Sequence, residues 1–487
     1  MPVHRPALLL LTVALIALAL LRPVDHDESQ YVAAAMLTAD GWLPYRDYAY
    51  LQTPLQPFAF APIAGAFGMV AWPALRIVNA LLGVVVVVAA WRAMREADVD
   101  SRIATASAAL FAVSDILLFS AGTARNDALP AVLLAVALIP MLRVERGAGT
   151  RGGAVLVGLL LGAAAATKIS YALPAAAYGA YALVVRRHRP GWIALGAVPT
   201  ALLVGWLAAL APDAFRFGVF TFPADAPAEY YAAAGRAWKL SGATKLVDVL
   251  KFLALGPALL AMVVILLSAL RHSGRSTHPR PLEKEGRLLD LLILAGLIAA
   301  LLPAPTWRQY LLPMLVPLFV RLGLVWQVRP PARGWRIAAA VFACAGLAPS
   351  VEAVAKGGNL GEGLAVTRAL RDHKGVATLS PQILSRPPDR RFATGPFYFR
   401  SRTLLAAPEE RALHLISRAR LEELTADPPV YVLIGGEGQW SSGDDTLDAG
   451  LEHWAVANGY RLDQRIGARF RLYARNAAPG VPSIAAR

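Results

Sequence analysis

WPALRIVNALLGVVVVVAAW, residues Trp72–Trp91, is the stretch that decides the fold class. It carries a single charge, Arg76, and runs into Arg92 and Arg95. Coiled as a helix rising about 1.5 Å per residue, it is as long as the hydrocarbon slab of a bilayer is thick, about 30 Å. Similar apolar runs recur along the chain: Ala7–Leu21, Ile103–Ser120, Ala128–Leu142, Ala154–Thr167, Ser170–Val185, Trp192–Leu210, Val249–Leu270, Leu288–Leu302, Tyr310–Gln327 and Ile337–Pro349. With Trp72–Trp91 they make about eleven spans. Ala17-Leu18-Ala19 resembles a signal-peptide cleavage site, but so many later spans favour an uncleaved first helix. Pro54–Met69, apolar but rich in Pro and Gly, reads as a short re-entrant or interfacial helix.

Composition agrees. The 487 residues are 56% hydrophobic and 17% charged, with a mean hydropathy of +0.49; soluble domains carry about a quarter charged residues. The net charge of +15 would suggest nucleic acid in a soluble protein. Here the arginines fall in short loops between spans, which is the positive-inside pattern of a membrane protein, so nucleic acid is excluded as a partner. The single cysteine, Cys344, rules out an internal disulfide framework and a cysteine metal site. Few lysines among the basic residues and abundant alanine suit a GC-rich bacterial genome.

The loops sort into two sets. Arg92, Arg95 and Arg102; Arg143, Arg146 and Arg151; Arg186, Arg187 and Arg189; Arg271–Arg287; and Arg329, Arg333 and Arg336 fall on one side. Asp25–Glu28, Arg125–Asp127, Pro212–Asp248 and Pro303–Gln309 fall on the other. The first set marks the cytoplasm, which places the N-terminus inside and, after eleven spans, the C-terminal segment outside the bacterial inner membrane. That segment changes character. In it, Gly361–His373 and Leu447–Asn458 read as helices, and Val376–Ser380, Val430–Ile434 and Ala468–Tyr473 as strands. The expected fold is therefore mainly α. A polytopic transmembrane helical bundle covers 1–351, with a first outer loop at 22–53, and a small extracytoplasmic α/β domain covers 352–487. Gly435-Gly436-Glu437-Gly438 lacks the Lys-Ser/Thr of a phosphate loop and reads as a turn.

Reactive side chains gather at the outer ends of spans. The first outer loop opens Asp25-His26-Asp27-Glu28-Ser29-Gln30-Tyr31 and continues through Gly41-Trp42-Leu43-Pro44-Tyr45-Arg46-Asp47-Tyr48 to Gln52-Thr53-Pro54-Leu55. In an average protein the acidic start is a solvated helix N-terminus, its carboxylates favoured by the dipole. The aromatic text after it suits a loop lying on the bilayer surface. Arg125-Asn126-Asp127, Thr167-Lys168 and Trp307-Arg308-Gln309-Tyr310 stand at the same depth. Singly each is an interfacial anchor; together they bring cations and carboxylates around one cavity. Asp115 and Arg321 lie inside apolar runs, where ionisable groups are functional candidates by default. Arg321 is near enough to the cytoplasmic side to snorkel.

These residues resemble the membrane-embedded C-type glycosyltransferases, in particular the bacterial relatives of protein O-mannosyltransferases and of the lipid A aminoarabinose transferase. Asp27-Glu28 followed by Tyr31, Ala34 and Gly41 is similar to the family's first-loop signature. Thr123-Ala124-Arg125-Asn126-Asp127-Ala128-Leu129 resembles its second acidic motif, Gly162 to Thr167-Lys168 its Gly-Ala-rich segment, and Tyr310-Leu-Leu-Pro its late Tyr-x-x-Pro span. Where aminoarabinose-transferase relatives read Lys-Pro-Pro-Leu, this chain has Gln52-Thr53-Pro54-Leu55, so a phosphate contact of that branch is missing.

The resemblance implies transfer of a sugar from a polyprenyl-phosphate donor to an extracytoplasmic glycan, lipid or protein acceptor, with inversion. It implies catalytic roles for Asp27 (the base), Glu28 and Asp127, and donor-phosphate contacts from Arg125, Lys168, Arg308 and Tyr310. Tyr31, Tyr45 and Gln52 are expected in the acceptor region or loop. No cofactor is required by these residues, and a divalent cation is left open. A multi-pass transporter or flippase of lipid-linked or small polar substrates is the alternative; its charges would sit near the bilayer midplane on related broken helices. A ligase of lipid-linked polysaccharide would share the topology and chemistry but differ in acceptor and donor size.

Overall fold

The computed structural model describes residues 5–270, 283–401, 405–436 and 446–475. It is mostly helical, with one small sheet. The Trp72–Trp91 run lies inside a single helix, Ala71–Glu96. Five helices are long and apolar enough to cross a membrane: Gly68–Glu96, Ala128–Glu145, Pro190–Leu210, Arg308–Val328 and Arg333–Ala355. Two bent pairs raise this to seven. Ser101–Ala112 meets Asp115–Ala121 at 67°, and Gly242–Ala254 meets Pro257–Leu270 at 101°. The runs Ile103–Ser120 and Val249–Leu270 therefore do not form straight rods. Arg5–Leu21, Arg151–Thr167 and Ile169–Val184 are apolar but shorter. Glu283–Leu301 is long, but its first turns carry Glu283, Lys284, Glu285 and Arg287.

Leu312–Val328 is the central helix, with almost every side chain from Leu312 to Trp326 buried. Ala71–Glu96, Ser101–Ala112, Pro257–Leu270 and Glu283–Leu301 pack around it. Pro190–Leu210 and Arg333–Ala355 bury few residues and turn apolar side chains such as Leu195, Leu202, Ile337 and Val341 outward. An outward apolar face suits lipid rather than water. The helices Arg151–Thr167 and Pro190–Leu210 approach closely because each puts a glycine at the crossing. A Cβ on Gly158 would sit 1.9 Å from the carbonyl oxygen of Ile193, and one on Gly196 equally close to that of Val155. Small residues at a helix crossing are the usual way for membrane helices to pack by van der Waals contact.

The stretch expected as a surface loop, 22–53, contains a helix, Glu28–Ala39, with all of Glu28–Leu37 buried. It packs on Leu55–Ala66, the helix foreseen within Pro54–Met69. The C-terminal segment lies on its other side: Val366, Leu370, Ile383 and Phe470 share a core with Val32, Met36 and Trp72.

Within that segment, the antiparallel strands β1 (Tyr431–Ile434), β2 (Tyr460–Ile466) and β3 (Phe470–Arg475) are ordered β1-β3-β2. β1, β3 and the helices Leu360–Ala369 and Thr446–Ala457 match the expected elements. β2 was not foreseen, because Arg461–Arg465 is polar apart from Leu462 and lies exposed on an edge. Val376–Ser380 is not a strand and makes only the single bridge Ala377 to Val432. There the Ser380 amide donates to Thr378 Oγ1 at 3.2 Å, so a local side-chain bond competes with the ladder. Glu437-Gly438 and most of the Arg271–Arg287 loop fall outside the described residues.

Candidate active site

Four helix ends converge on one cavity. Asp25-His26-Asp27 follows Arg5–Leu21, Arg125–Asp127 precedes Ala128–Glu145, Lys168 follows Arg151–Thr167, and Arg308 opens the turn into Leu312–Val328. The cavity is about 480 Å³ and is lined on its polar side by Asp25, Asp27, Tyr31, Gln52, Arg125, Lys168, Arg308 and Tyr310. Phe222, Pro223, Phe252, Pro305 and Trp307 give it an apolar wall. Phe397 and Arg400 of the C-terminal segment also line it. Arg400 lies over Tyr230 at 5.2 Å and over Phe397 at 5.3 Å.

Arg125 is the hub. Its Nη1 donates to Asp25 Oδ1 at 2.6 Å and also meets Asp27 Oδ2, while its Nε donates to Asp127 Oδ2 at 3.0 Å. Lys168 Nζ donates to the other oxygen of Asp127. His26 Nε2 lies 3.2 Å from Asp27 Oδ1, and the His26 ring stacks on Phe397 at 5.6 Å. Burial alone would lift the Asp25 carboxyl. The Arg125 guanidinium, aided by His26 and Arg22, reverses this and holds it well below the usual carboxylate range. Burial pushes the Tyr31 hydroxyl well above its ordinary value, so it remains a neutral donor at the cavity wall.

Glu28 plays a different part from the one expected of it. It does not line the cavity, and its carboxylate is fully buried. Arg76 donates to it from Nη2 at 2.5 Å and from Nε at 2.7 Å. The Trp72 indole donates to it at 3.2 Å, and the backbone amides of Ala124 and Asp25 at 2.7 Å and 2.8 Å. Every lone pair is used, so the residue fastens the first loop to the 123–127 loop. Asn79 helps from below, with Nδ2 donating to the carbonyls of Thr123 at 2.6 Å and Arg125 at 2.8 Å.

Asp127 is likewise behind the wall, reaching the cavity only through Arg125 and Lys168. Tyr45 is outside it too. Its hydroxyl donates to the Gln52 carbonyl and its ring meets Phe215 edge-on at 5.1 Å, which shapes the loop that presents Gln52. The Gln52 Oε1 accepts from Asn126 Nδ2 at 3.4 Å.

Asp115 pairs with Arg308, whose Nη1 is 2.9 Å and 3.0 Å from its two oxygens. Arg321 instead pairs with Asp290 at 2.9 Å, well away from this cluster. Three guanidinium groups face the Phe119 ring: Arg308 at 3.9 Å, Arg22 at 5.1 Å and Arg125 at 5.4 Å. Arg22, Arg76, Asn79, Phe119 and Arg400 were not read as site residues from the sequence. Arg76 could have been, because a charge inside an apolar run is a signal in itself.

Asp25, His26 and Asp27 each offer one ligand atom, all within 4.8 Å of one another. Arg125 already donates to both carboxylates, so in this arrangement a guanidinium takes the place a divalent ion would need. The residues as arranged do not fit a metal.

No protein-family model matches the sequence, and no curated protein sequence does. Among solved structures, the chain is similar to ArnT from Cupriavidus metallidurans bound to undecaprenyl phosphate. The TM-score is 0.62 at 15% identity, covering 98% of this chain and 99% of that one. The apo state of the same protein matches with a TM-score of 0.60 at 15% identity, with 98% of each chain covered. The likeness is one of fold over the whole length: the chain shares the fold of that protein.

Proposed function

We propose that the protein is an inverting glycosyltransferase that moves a sugar from a polyprenyl-phosphate donor to an extracytoplasmic acceptor, with Asp27 as the base. The observation that carries this is the convergence of Asp27, Arg125, Lys168 and Arg308 on one cavity whose other wall is apolar. A lipid phosphate needs that combination: cations for the phosphate and an apolar surface for the tail. The likeness to a fold whose solved example holds undecaprenyl phosphate supports it.

A phosphate leaving group departs as an anion and needs no proton. It needs positive charge, which Arg125, Lys168 and Arg308 supply. The cluster is balanced beforehand: Arg22, Arg76, Arg125, Lys168 and Arg308 face Asp25, Asp27, Glu28, Asp115 and Asp127. An arriving phosphate must therefore compete with a carboxylate for Arg125. Asp27 is the one to yield. Asp25 is further held by the Asp27 backbone amide at 3.1 Å, and Asp127 is shared with Lys168. Freed from Arg125, Asp27 can take the proton of an acceptor hydroxyl attacking opposite the phosphate. Tyr310, over whose ring Lys168 Nζ lies at 5.4 Å, fixes that ammonium beside the phosphate.

The same reading places eleven spans in a bacterial inner membrane, with the N-terminus cytoplasmic. It also makes 352–487 an extracytoplasmic domain that closes the cavity with Phe397 and Arg400. Its support is the one-sided distribution of arginines and the correspondence of each apolar run to a helix or a bent pair. Charges gathered at one set of helix ends favour this over a transporter, whose site would lie at midplane. The test is transfer from synthetic undecaprenyl-phosphate hexose to envelope extracts by the purified protein. Transfer that depends on Asp27 is expected. Unchanged product from correctly folded Asp27→Ala would overturn the assignment.

A further inference from the structure

Three polar atoms in the wall of the cavity have no hydrogen-bond partner: Gln30 Oε1, Thr53 Oγ1 and Ser170 Oγ. Each is buried, and each belongs to a residue that lines the same cavity as Asp27. They come from three separate elements: the helix Glu28–Ala39, the turn before Leu55–Ala66, and the turn Ile169–Tyr171. A buried polar atom without a partner works against folding, and native structures satisfy nearly all of theirs. Three such atoms around one cavity are an arrangement that a ligand completes.

Their chemistry and position define the ligand. An amide oxygen accepts, and a hydroxyl accepts or donates. This is a neutral set, suited to sugar hydroxyls. Ser170 lies two residues after Lys168, and Thr53 follows Gln52, which bonds Asn126 beside Arg125. Two of the three residues thus stand next to the groups that the donor reading assigns to the phosphate. The cavity's carboxylates, Asp25 and Asp27, are both engaged by Arg125. Asp27, the carboxylate that the phosphate releases from Arg125, is the base, so among the described residues lining the cavity no carboxylate is left to receive an ammonium without occupying that base.

We propose that Gln30, Thr53 and Ser170 form a sugar subsite that selects an uncharged, polyhydroxylated sugar over an amino sugar. This rests on the polyprenyl-phosphate donor reading above.

The test uses the full chain in lipid nanodiscs and three probes: undecaprenyl phosphate, its glucosyl ester and its 4-amino-4-deoxypentosyl ester. The glucosyl ester is expected to bind about tenfold more tightly than the bare phosphate, and the amino-sugar ester no more tightly than the bare phosphate. Thr53→Val and Ser170→Ala should each cut the glucosyl advantage by about three- to tenfold while leaving affinity for bare undecaprenyl phosphate unchanged, which also reports correct folding. Equal affinity for all three probes, a preference for the amino sugar, or variants that weaken bare phosphate and glucosyl ester alike would overturn the subsite alone. Binding of none of the probes by folded protein would overturn the donor reading, and the subsite with it.

Discussion

Arg76 and Glu28 hold each other in a pair with no exposed surface on either side chain, Nη2 to Oε2 2.5 Å. One comes from the middle of an apolar run and the other from the acidic loop, so the pair ties the longest helix to the start of the site. Removing one member of such a pair strands a buried charge and costs about 3–5 kcal/mol. Glu28→Ala is expected to lower the thermal midpoint far more than Asp25→Asn. Glu28→Leu combined with Arg76→Met should recover part of the loss, because no charge is left unpaired. The recovery stays partial, since the Ala124 amide and the Trp72 indole lose their acceptor.

Asp27 should separate from its acidic neighbours in kinetics rather than in stability. Loss of a general base typically costs about 10²–10⁴ in rate. Asp27→Asn is therefore expected to lower kcat by that order with a near-normal thermal midpoint, because its side chain keeps some solvent contact. Asp127→Asn should instead raise the donor KM, since it loosens Lys168 and Arg125 together. Equal kcat losses in both variants would argue against distinct roles.

Asp25 gives a pH signature. Its folded carboxyl is held below the ordinary value, despite burial, by Arg125, His26 and Arg22. A group depressed on folding contributes stability that is present above its unfolded pKa, about 3.9, and is lost as pH falls through the folded value. The difference in thermal midpoint between wild type and Asp25→Asn should therefore stay constant from pH 8 to pH 5 and shrink only in stronger acid. A difference that vanishes already near pH 6 would show that the Arg125 pair does not hold the carboxyl.

The sequence was most legible where one strong force decides. Long apolar runs marked the helices, and each of the four clusters at helix ends puts part of itself on one cavity: Asp25 and Asp27, Arg125, Lys168, and Arg308 with Tyr310. It was least legible where tertiary packing overrides local text. Glu28 reads as a second catalytic acid until Arg76, 48 residues away, is seen to saturate it. The acidic, aromatic stretch after Arg22 reads as a surface loop because its helix shares a core with the C-terminal segment, which lies far away in the sequence. The bends in two spans depend on short-range backbone choices, such as the extended Ser114 (φ −75°, ψ 127°), that apolar runs conceal.

Gly395 should be intolerant of any side chain. Its φ of +56° is in the left-handed region, and a Cβ there would lie 2.4 Å from Ser29 Oγ. Gly395→Ala then carries both backbone strain, of order 1–3 kcal/mol, and a clash at the junction between the C-terminal segment and the Glu28–Ala39 helix. The expected result is easier proteolytic release of the C-terminal segment and a lower thermal midpoint. Adding Ser29→Gly should relieve the clash but not the strain, giving partial rescue.

Arg308 and Asp115 distinguish a phosphate contact from a structural clamp. Arg308 faces the cavity, whereas Asp115 is buried beneath it and meets the guanidinium with both oxygens. If Arg308 serves only to neutralise Asp115, then Arg308→Gln together with Asp115→Asn should restore both stability and activity. If it contacts the donor phosphate, the double variant regains the thermal midpoint but keeps a donor KM raised about tenfold or more, as expected for one lost charge-assisted bond. Arg308→Lys should fall between, because an ammonium preserves the charge but not the planar stack on Phe119 at 3.9 Å. We expect the split between recovered stability and unrecovered KM; recovery of both would remove Arg308 from the donor site.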